Sequence, residues 1–157
     1  MILFRDDFQG WTTVDDTVMG GVSDGAWTVN EAGHGVFFGE VSLENNGGFS
    51  SVRTTFAPLD LSAYQGIEIT VRGDGQIYGV NLRDVHSKIS YRASFETVAD
   101  EWQTLRFAFD DLRPLRKGKP VTDAAPLATT DVRMVGFIIS RKQAGPFRLE
   151  VARIAAC

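Results

Sequence analysis

The sequence predicts an all-β protein, an antiparallel β-sandwich of the jelly-roll kind, formed as a single domain over residues 1–157. Three observations predict this class. Apolar residues recur with a period of two along most of the chain. The 11 Phe, 3 Trp and 3 Tyr are residues that strands favour, and the 16 Gly supply turns between them. A chain of this length, 43% hydrophobic, can bury a core without disulfides, and Cys157 is its only cysteine.

The predicted strands follow from the alternation of apolar and polar residues. It is clearest in residues 66–72, where Ile67, Ile69 and Val71 share one face and the intervening polar residues share the other. Comparable segments are 26–30, 36–41, 49–56, 77–83, 89–95, 102–109, 132–140 and 147–154, with shorter strands expected near Phe4 and Val18. About ten strands result, which suits a sandwich.

Most of these strands are joined by short, glycine-rich turns. The turn signals lie at 20–21, 24–25, 33–35, 45–48, 73–75 and 145–146. Such connections are too short for crossover helices, so antiparallel pairing is expected. The exception is segment 110–131, which has three prolines and no apolar period. It is predicted to be a solvated loop with one helical turn at 110–112.

Charge and hydropathy exclude several classes of function. The net charge of −4, without a long run of Lys and Arg, disfavours binding to nucleic acids. No stretch of about 18 apolar residues is present, so no membrane span is expected. The N-terminal residues resemble neither a secretory signal nor a mitochondrial presequence. A cytoplasmic location is therefore expected.

Catalytic groups in a recognisable arrangement are scarce. His34 and His86 both fall in predicted turns, and neighbouring carboxylates on a strand point to opposite faces. No catalytic residue, metal site or cofactor is therefore predicted. The sequence leaves open a structural calcium site near Asp6, Asp7 or Glu150, because hard cations prefer oxygen ligands.

Polar residues on the predicted strands indicate a binding face. Asn81 and Arg83 lie opposite the apolar side of their strand, and Arg53 and Arg92 do the same on two others. Such a face can bind a sugar or a peptide by hydrogen bonds and stacking. The alternative is an ordinary exposed face whose arginines pair across strands with residues such as Glu68.

Three segments together resemble the complex I intermediate-associated protein 30 family. They are 14–23, which contains Val-Met-Gly-Gly, 39–53, which contains Asn-Asn-Gly-Gly, and 143–151. The resemblance extends over nearly the whole chain. It implies a galactose-binding-like β-sandwich and a role in binding protein partners rather than in catalysis, since the mitochondrial members act as assembly chaperones for NADH:ubiquinone oxidoreductase.

The resemblance also implies which residues form the site. The matching motif residues are Asp16, Met19, Gly20, Gly21, Ser23, Asn46, Gly47, Gly48, Arg53, Gly73, Asp74, Gly75 and Gln143. One position departs from the family pattern, because Asp15 stands where Asn is frequent, which removes an amide donor. Combined with the strand face, the predicted binding residues are Asp16, Met19, Ser23, Asn46, Arg53, Asn81, Arg83 and Gln143.

The first functional hypothesis is a non-catalytic assembly factor or chaperone-like domain whose partner is a protein, such as a respiratory-complex subunit or assembly intermediate. The alternative is a small-ligand binder like a carbohydrate-binding module, with Trp11, Trp27 and Trp102 as aromatic platforms. A third hypothesis, an enzyme acting through Asp16 or Glu44, rests only on polar loop residues.

Overall fold

The structure, a computed structural model, describes residues 1–15, 23–44 and 48–157, with the side chain of Asp15 left out. In this part of the chain the strands are β1 Ile2–Phe4, β2 Thr12–Asp15, β3 Asp24–Val29, β4 Gly35–Val41, β5 Ser50–Leu59, β6 Gly66–Arg72, β7 Ile77–Asp84, β8 Ser90–Glu96, β9 Trp102–Ala108, β10 Arg113–Arg116, β11 Lys119–Pro120, β12 Val132–Ile139 and β13 Gly145–Ala156. Short 3-10 helices span Phe109–Asp111 and Thr129–Asp131.

The strands form two antiparallel sheets that pack face to face. The six-stranded sheet has the order β3-β4-β13-β6-β9, and β1 pairs with the C-terminal end of β13. The seven-stranded sheet has the order β11-β10-β8-β7-β12-β5-β2. Strands distant in sequence are therefore neighbours, which is how β12 comes to lie between β5 and β7. The all-β, antiparallel sandwich predicted from the sequence is confirmed.

The sandwich core lies between the two sheets. Fully buried side chains from the six-stranded sheet, including Phe37, Ile69 and Leu149, meet Val80 and Phe137 from the seven-stranded sheet. The period of two sends these side chains inward and their strand neighbours, such as Thr70 beside Ile69 and Asn81 beside Val80, toward the outer faces.

The prediction of segment 110–131 as a long loop is only partly correct. Its helical turn exists as the 3-10 helix Phe109–Asp111, but Arg113–Arg116 and Lys119–Pro120 form a small hairpin that adds β10 and β11 to the edge of the seven-stranded sheet. β2 was also not predicted. The strand expected near Val18 lies outside the described residues.

Two of the tryptophans proposed as ligand platforms have structural roles instead. Trp11 is only 7% exposed and stacks on Trp27, with ring centroids 4.6 Å apart and planes 10° from parallel. The indole Nε1–H of Trp27 donates to the carbonyl oxygen of Phe8 at 2.8 Å. Both rings therefore belong to the packing of the sandwich, whereas Trp102 remains 43% exposed.

Candidate functional site

The strand register of the seven-stranded sheet aligns polar residues into one row across its outer face. Thr12, Arg53, Gly136, Asn81, Arg92 and Arg113 lie directly opposite one another on β2, β5, β12, β7, β8 and β10. Their neighbours Val52, Phe137 and Val80 point into the core, so this row points outward. The alternation that predicted Arg53, Asn81 and Arg92 on one face is therefore observed.

Two further arginines extend this row. Arg83 lies two residues beyond Asn81 on β7, and Arg141 follows the end of β12, where its Nη2 donates to Ser94 Oγ at 3.1 Å. We call the resulting surface the arginine face. It consists of Arg53, Arg83, Arg92, Arg113, Arg141 and Asn81.

Neutral side chains orient two of the central guanidinium groups. Arg92 donates its Nε–H to Asn81 Oδ1 at 2.7 Å, and Arg83 donates its Nε–H to Ser90 Oγ at 2.9 Å. Both bonds use the Nε side of the guanidinium and leave its positive charge uncompensated. The terminal Nη donors of each guanidinium are thus available to an acceptor.

In the part of the chain that the structure describes, the arginine face has none of the acidic partners that arginines usually have. Within the described residues, none of its five arginines forms an ion pair with a carboxylate. The outer face of the six-stranded sheet is the opposite case. There Arg106 and Arg153 bind Glu68 at 2.6 and 2.7 Å, and Arg72 binds Glu150 at 2.7 Å.

The arginines of this face lie close enough to lower one another's pKa. Burial is the main cause that lowers the pKa of Arg83, and the positive charge of Arg53 lowers it further. The pKa of Arg92 is lowered by burial first and then by Arg83. Both groups stay protonated at neutral pH, because a guanidinium holds its proton in proteins. Among the described residues, the face is therefore a cationic surface without a neutralising carboxylate.

Two glycines, Gly136 and Gly79, leave the middle of the arginine face without protruding side chains. A Cβ on Gly136 would lie 2.5 Å from the carbonyl oxygen of Val52, and a Cβ on Gly79 would lie 3.0 Å from Ile138 and 3.1 Å from the Arg92 stem. Backbone atoms exclude a side chain at Gly136, whereas a methyl group at Gly79 would press only on two flexible side chains. A ligand backbone can approach the sheet closely there.

A cleft of about 550 Å³ opens at one side of the arginine face. Arg92, Arg113 and Arg141 line it together with Leu115 and a single carboxylate, Asp111. This size lies in the range of small-ligand sites, roughly 300–1,000 Å³. The cleft can therefore admit an anionic group between three cationic side chains.

A second polar cluster, on the six-stranded sheet, is internally saturated. His34 Nδ1, Arg72 Nη2 and Asn30 Nδ2 surround the buried carboxylate of Glu150 at 2.6, 2.7 and 3.0 Å. Burial raises the pKa of Glu150, but these hydrogen bonds outweigh burial and lower the pKa to about 2.

This saturation bears on two sequence expectations. The Glu150 oxygens already face a guanidinium and an imidazole, so the carboxylate does not suit the calcium ion considered there. His34, which falls in a predicted turn, has a side chain that is 23% exposed and bound to Glu150. Across the described ranges, no group of three or more His, Cys, Asp and Glu side chains is arranged as metal ligands.

The other predicted site residues lie away from the arginine face or outside the described residues. Asp16, Met19 and Asn46 belong to the latter group. Ser23 is buried, and its hydroxyl exchanges hydrogen bonds with the backbone of Ser42. Gln143 binds only backbone groups among its described contacts, at Ile77 and Ser140.

Sequence reasoning omitted three residues from the site. Arg92 shows the same alternation as Arg83, so its position on β8 was a sufficient signal. Arg113 was hidden within a segment predicted to be a loop, and Arg141 follows β12 in a turn. Among the described residues, no helix has the length and apolar character needed to cross a membrane.

Comparison with known proteins identifies relatives across nearly the whole chain. Residues 2–151 match the family described as Complex I intermediate-associated protein 30 (CIA30). A Drosophila melanogaster protein named Complex I intermediate-associated protein 30, mitochondrial, is 24% identical over 93% of this chain. The chain spans 57% of that relative's length.

Solved structures similar to this one include carbohydrate-binding modules. A family 11 module from a Clostridium thermocellum cellulosomal cellulase aligns with a TM-score of 0.69 at 14% identity, covering 100% of this chain and 94% of the module. A family 30 carbohydrate-binding module aligns with a TM-score of 0.65 at 18% identity, covering 100% and 98%. At these identities the likeness establishes the shared sandwich fold.

Proposed function

The chain belongs to the Complex I intermediate-associated protein 30 family, and from this premise we propose that it is a non-catalytic assembly factor that binds a protein partner on its arginine face. The observation that carries the proposal is the set of arginines without carboxylate partners in the described structure, beside an opposite face whose arginines pair with Glu68 and Glu150. Uncompensated guanidinium groups on a sheet face favour binding of a complementary surface.

The partner class follows from the relatives and from the face itself. We propose a respiratory-complex subunit or an assembly intermediate, since the Drosophila relative is named for its association with a complex I intermediate. In this proposal the protein is cytoplasmic and acts in the manner of a chaperone that holds an incompletely assembled subunit. The polar, hydrogen-bonded character of the face suits a reversible interaction of this kind.

Affinity purification with quantitative mass spectrometry tests this function. The tagged full chain and an Arg53→Gln/Arg92→Gln variant are recovered from the source cell under gentle lysis. An Arg5→Gln/Arg148→Gln variant, which removes two charges outside the arginine face, serves as the matched control. Enrichment of inner-membrane respiratory subunits should fall only in the first variant. Recovery of no respiratory subunit by the unaltered chain would contradict the proposal.

A carbohydrate ligand is the second candidate, favoured by the likeness to the family 11 and family 30 modules. Against it, no residue that points outward from the described strands of the arginine face is aromatic, so the face lacks stacking platforms for sugar rings. Trp102 is exposed on the other sheet, where it contacts His34 and Arg72. A glycan array without ligands tighter than about 1 mM would remove this candidate.

A further inference from the structure

We infer that the ligand of the arginine face is an extended, acidic peptide segment that crosses the strands of the seven-stranded sheet. The inference rests on the proposed function and specifies the chemistry of its partner. Three features of the row from Arg53 to Arg92 support it: the charge of its arginines, the distance between them, and the shape of the sheet surface that separates them.

Charge complementarity is the first support. The protein carries a net charge of −4, yet five arginines gather on one face where no described carboxylate pairs with them. A guanidinium fork matches the two oxygens of a carboxylate, and such charge-assisted bonds are stronger than neutral ones. Glu and Asp side chains therefore supply the acceptors that this surface lacks.

The spacing of the row fits an extended chain. Arg53 and Arg92 lie three strand steps apart, through β12 and β7, which corresponds to about 14 Å at the usual strand spacing. An extended peptide covers this distance in about four residues, and residues four apart point to the same side. Acidic residues at positions i and i+4 can thus reach both guanidinium groups.

The floor between these arginines accommodates a peptide backbone. Gly136 lies directly between Arg53 and Asn81, and side chains are sterically excluded there by the backbone of Val52. Asn81 offers an amide Nδ2 donor, because its Oδ1 already accepts from Arg92. A crossing main chain can therefore approach the sheet and find a donor for one of its carbonyls.

The same surface disfavours the other anionic polymers. Single-stranded nucleic acids bind through aromatic stacking platforms, and no outward strand residue of this face is aromatic in the described structure. Ile138 and Leu115 flank the arginines instead and offer small apolar contacts suited to side chains.

Fluorescence anisotropy with a defined peptide tests the inference. The probe is a labelled peptide of about 12 residues, with Glu at every fourth position among Ser and Thr, and the matched peptide carries Gln at those positions. The full chain should bind the Glu peptide at least about tenfold more tightly than the Gln peptide. Raising the salt concentration to about 0.5 M should weaken binding, because exposed charges are screened.

Variants localise the binding. Arg53→Gln/Arg92→Gln should lose at least about tenfold in affinity for the Glu peptide, while Arg5→Gln/Arg148→Gln should bind it like the unaltered chain. Circular dichroism confirms that each variant is folded. Equal binding of the Glu and Gln peptides, or unchanged binding by the face variant, overturns the inference. Stronger binding of tripolyphosphate or of an oligonucleotide than of the Glu peptide overturns it as well.

The two proposals fail in different ways. If Arg53→Gln/Arg92→Gln loses its cellular protein partner but the unaltered chain ignores the Glu peptide, the acidic-peptide chemistry is wrong and the binding face stands. If the Glu peptide binds at the face but no respiratory subunit is recovered from cells, the assembly role is wrong and the peptide chemistry stands.

Discussion

Arg92 lies beside its cross-strand neighbour Asn81 and donates its Nε–H to the Asn81 amide oxygen at 2.7 Å. This bond fixes the guanidinium at the centre of the arginine face without cancelling its charge. The relationship is specific to an amide, because a carboxylate at position 81 would orient Arg92 equally well but neutralise it.

Substitutions at Asn81 separate orientation from charge. Asn81→Ala should weaken binding of the acidic peptide several-fold, since Arg92 loses its anchor, at a cost of about 1 kcal/mol in folding stability. Asn81→Asp should keep the stability but weaken binding more than Asn81→Ala does, because an ion pair neutralises the Arg92 cation. Anisotropy and urea unfolding measure both. Retention of full affinity by Asn81→Asp would contradict the role assigned to the charge.

Two glycines on the outer face should respond differently to alanine. Gly79→Ala places a methyl group against Ile138 and the Arg92 stem, which are flexible side chains, so Arg92 shifts and peptide affinity falls in a folded protein. Gly136→Ala instead meets the backbone oxygen of Val52 and should destabilise the fold by about 1–3 kcal/mol. Thermal unfolding and anisotropy on both variants check this. Similar stability losses in the two would contradict it.

The Glu150 cluster predicts a dependence of stability on pH. The pKa of Glu150 is about 2 in the folded protein, below its ordinary value of 4.5. A lowered pKa stabilises the fold above pH 4.5, and this contribution is lost as the pH falls from 4.5 towards 2. Its size is on the order of 3 kcal/mol at neutral pH.

Glu150→Gln should therefore be less stable than the unaltered chain at pH 7, and the difference should shrink as the pH approaches 2. Urea unfolding followed by tryptophan fluorescence at several pH values measures the free energy of unfolding. The exposed Glu101→Gln variant is the control and should follow the unaltered chain. A constant difference between pH 7 and pH 3 would refute the linkage.

Gln143 should stabilise the fold, whichever ligand binds. Its Oε1 accepts from the backbone N–H of Ile77 at 2.8 Å, and its Nε2 donates to the carbonyls of Ile77 and Ser140 at 2.8 and 2.7 Å. Gln143→Ala should lower the free energy of unfolding by about 1–3 kcal/mol and leave peptide affinity unchanged. A selective loss of affinity at unchanged stability would place Gln143 in the binding site.

The sequence was sufficient for most of the fold because its strands are amphipathic with a period of two. β6 shows this directly, because its apolar residues Ile67, Ile69 and Val71 are fully buried in the core while Thr70 and Arg72 between and after them stay partly exposed. The hairpin of β10 and β11 could not be predicted in this way. It contains proline and consecutive basic residues, and it is held by pairing to β8 rather than by an apolar side of its own.

The candidate site was predictable only in part for a similar reason. Alternation placed Arg53, Asn81 and Arg92 on outward sides of their own strands. Their proximity depends on β12 entering between β5 and β7, which no local pattern reports. The bond between His34 and Glu150 joins residues 116 positions apart and is likewise a product of the tertiary fold.

Arginine-specific chemical modification of the chain, with and without its bound cellular partner, tests most directly whether the arginine face is the binding surface. Phenylglyoxal labelling is quantified at each arginine by mass spectrometry. The account predicts that the partner protects Arg53, Arg83 and Arg92 while Arg106 and Arg148 on the other sheet remain as reactive as in the free protein. Unchanged reactivity at the first three residues, or protection confined to the six-stranded sheet, would contradict it.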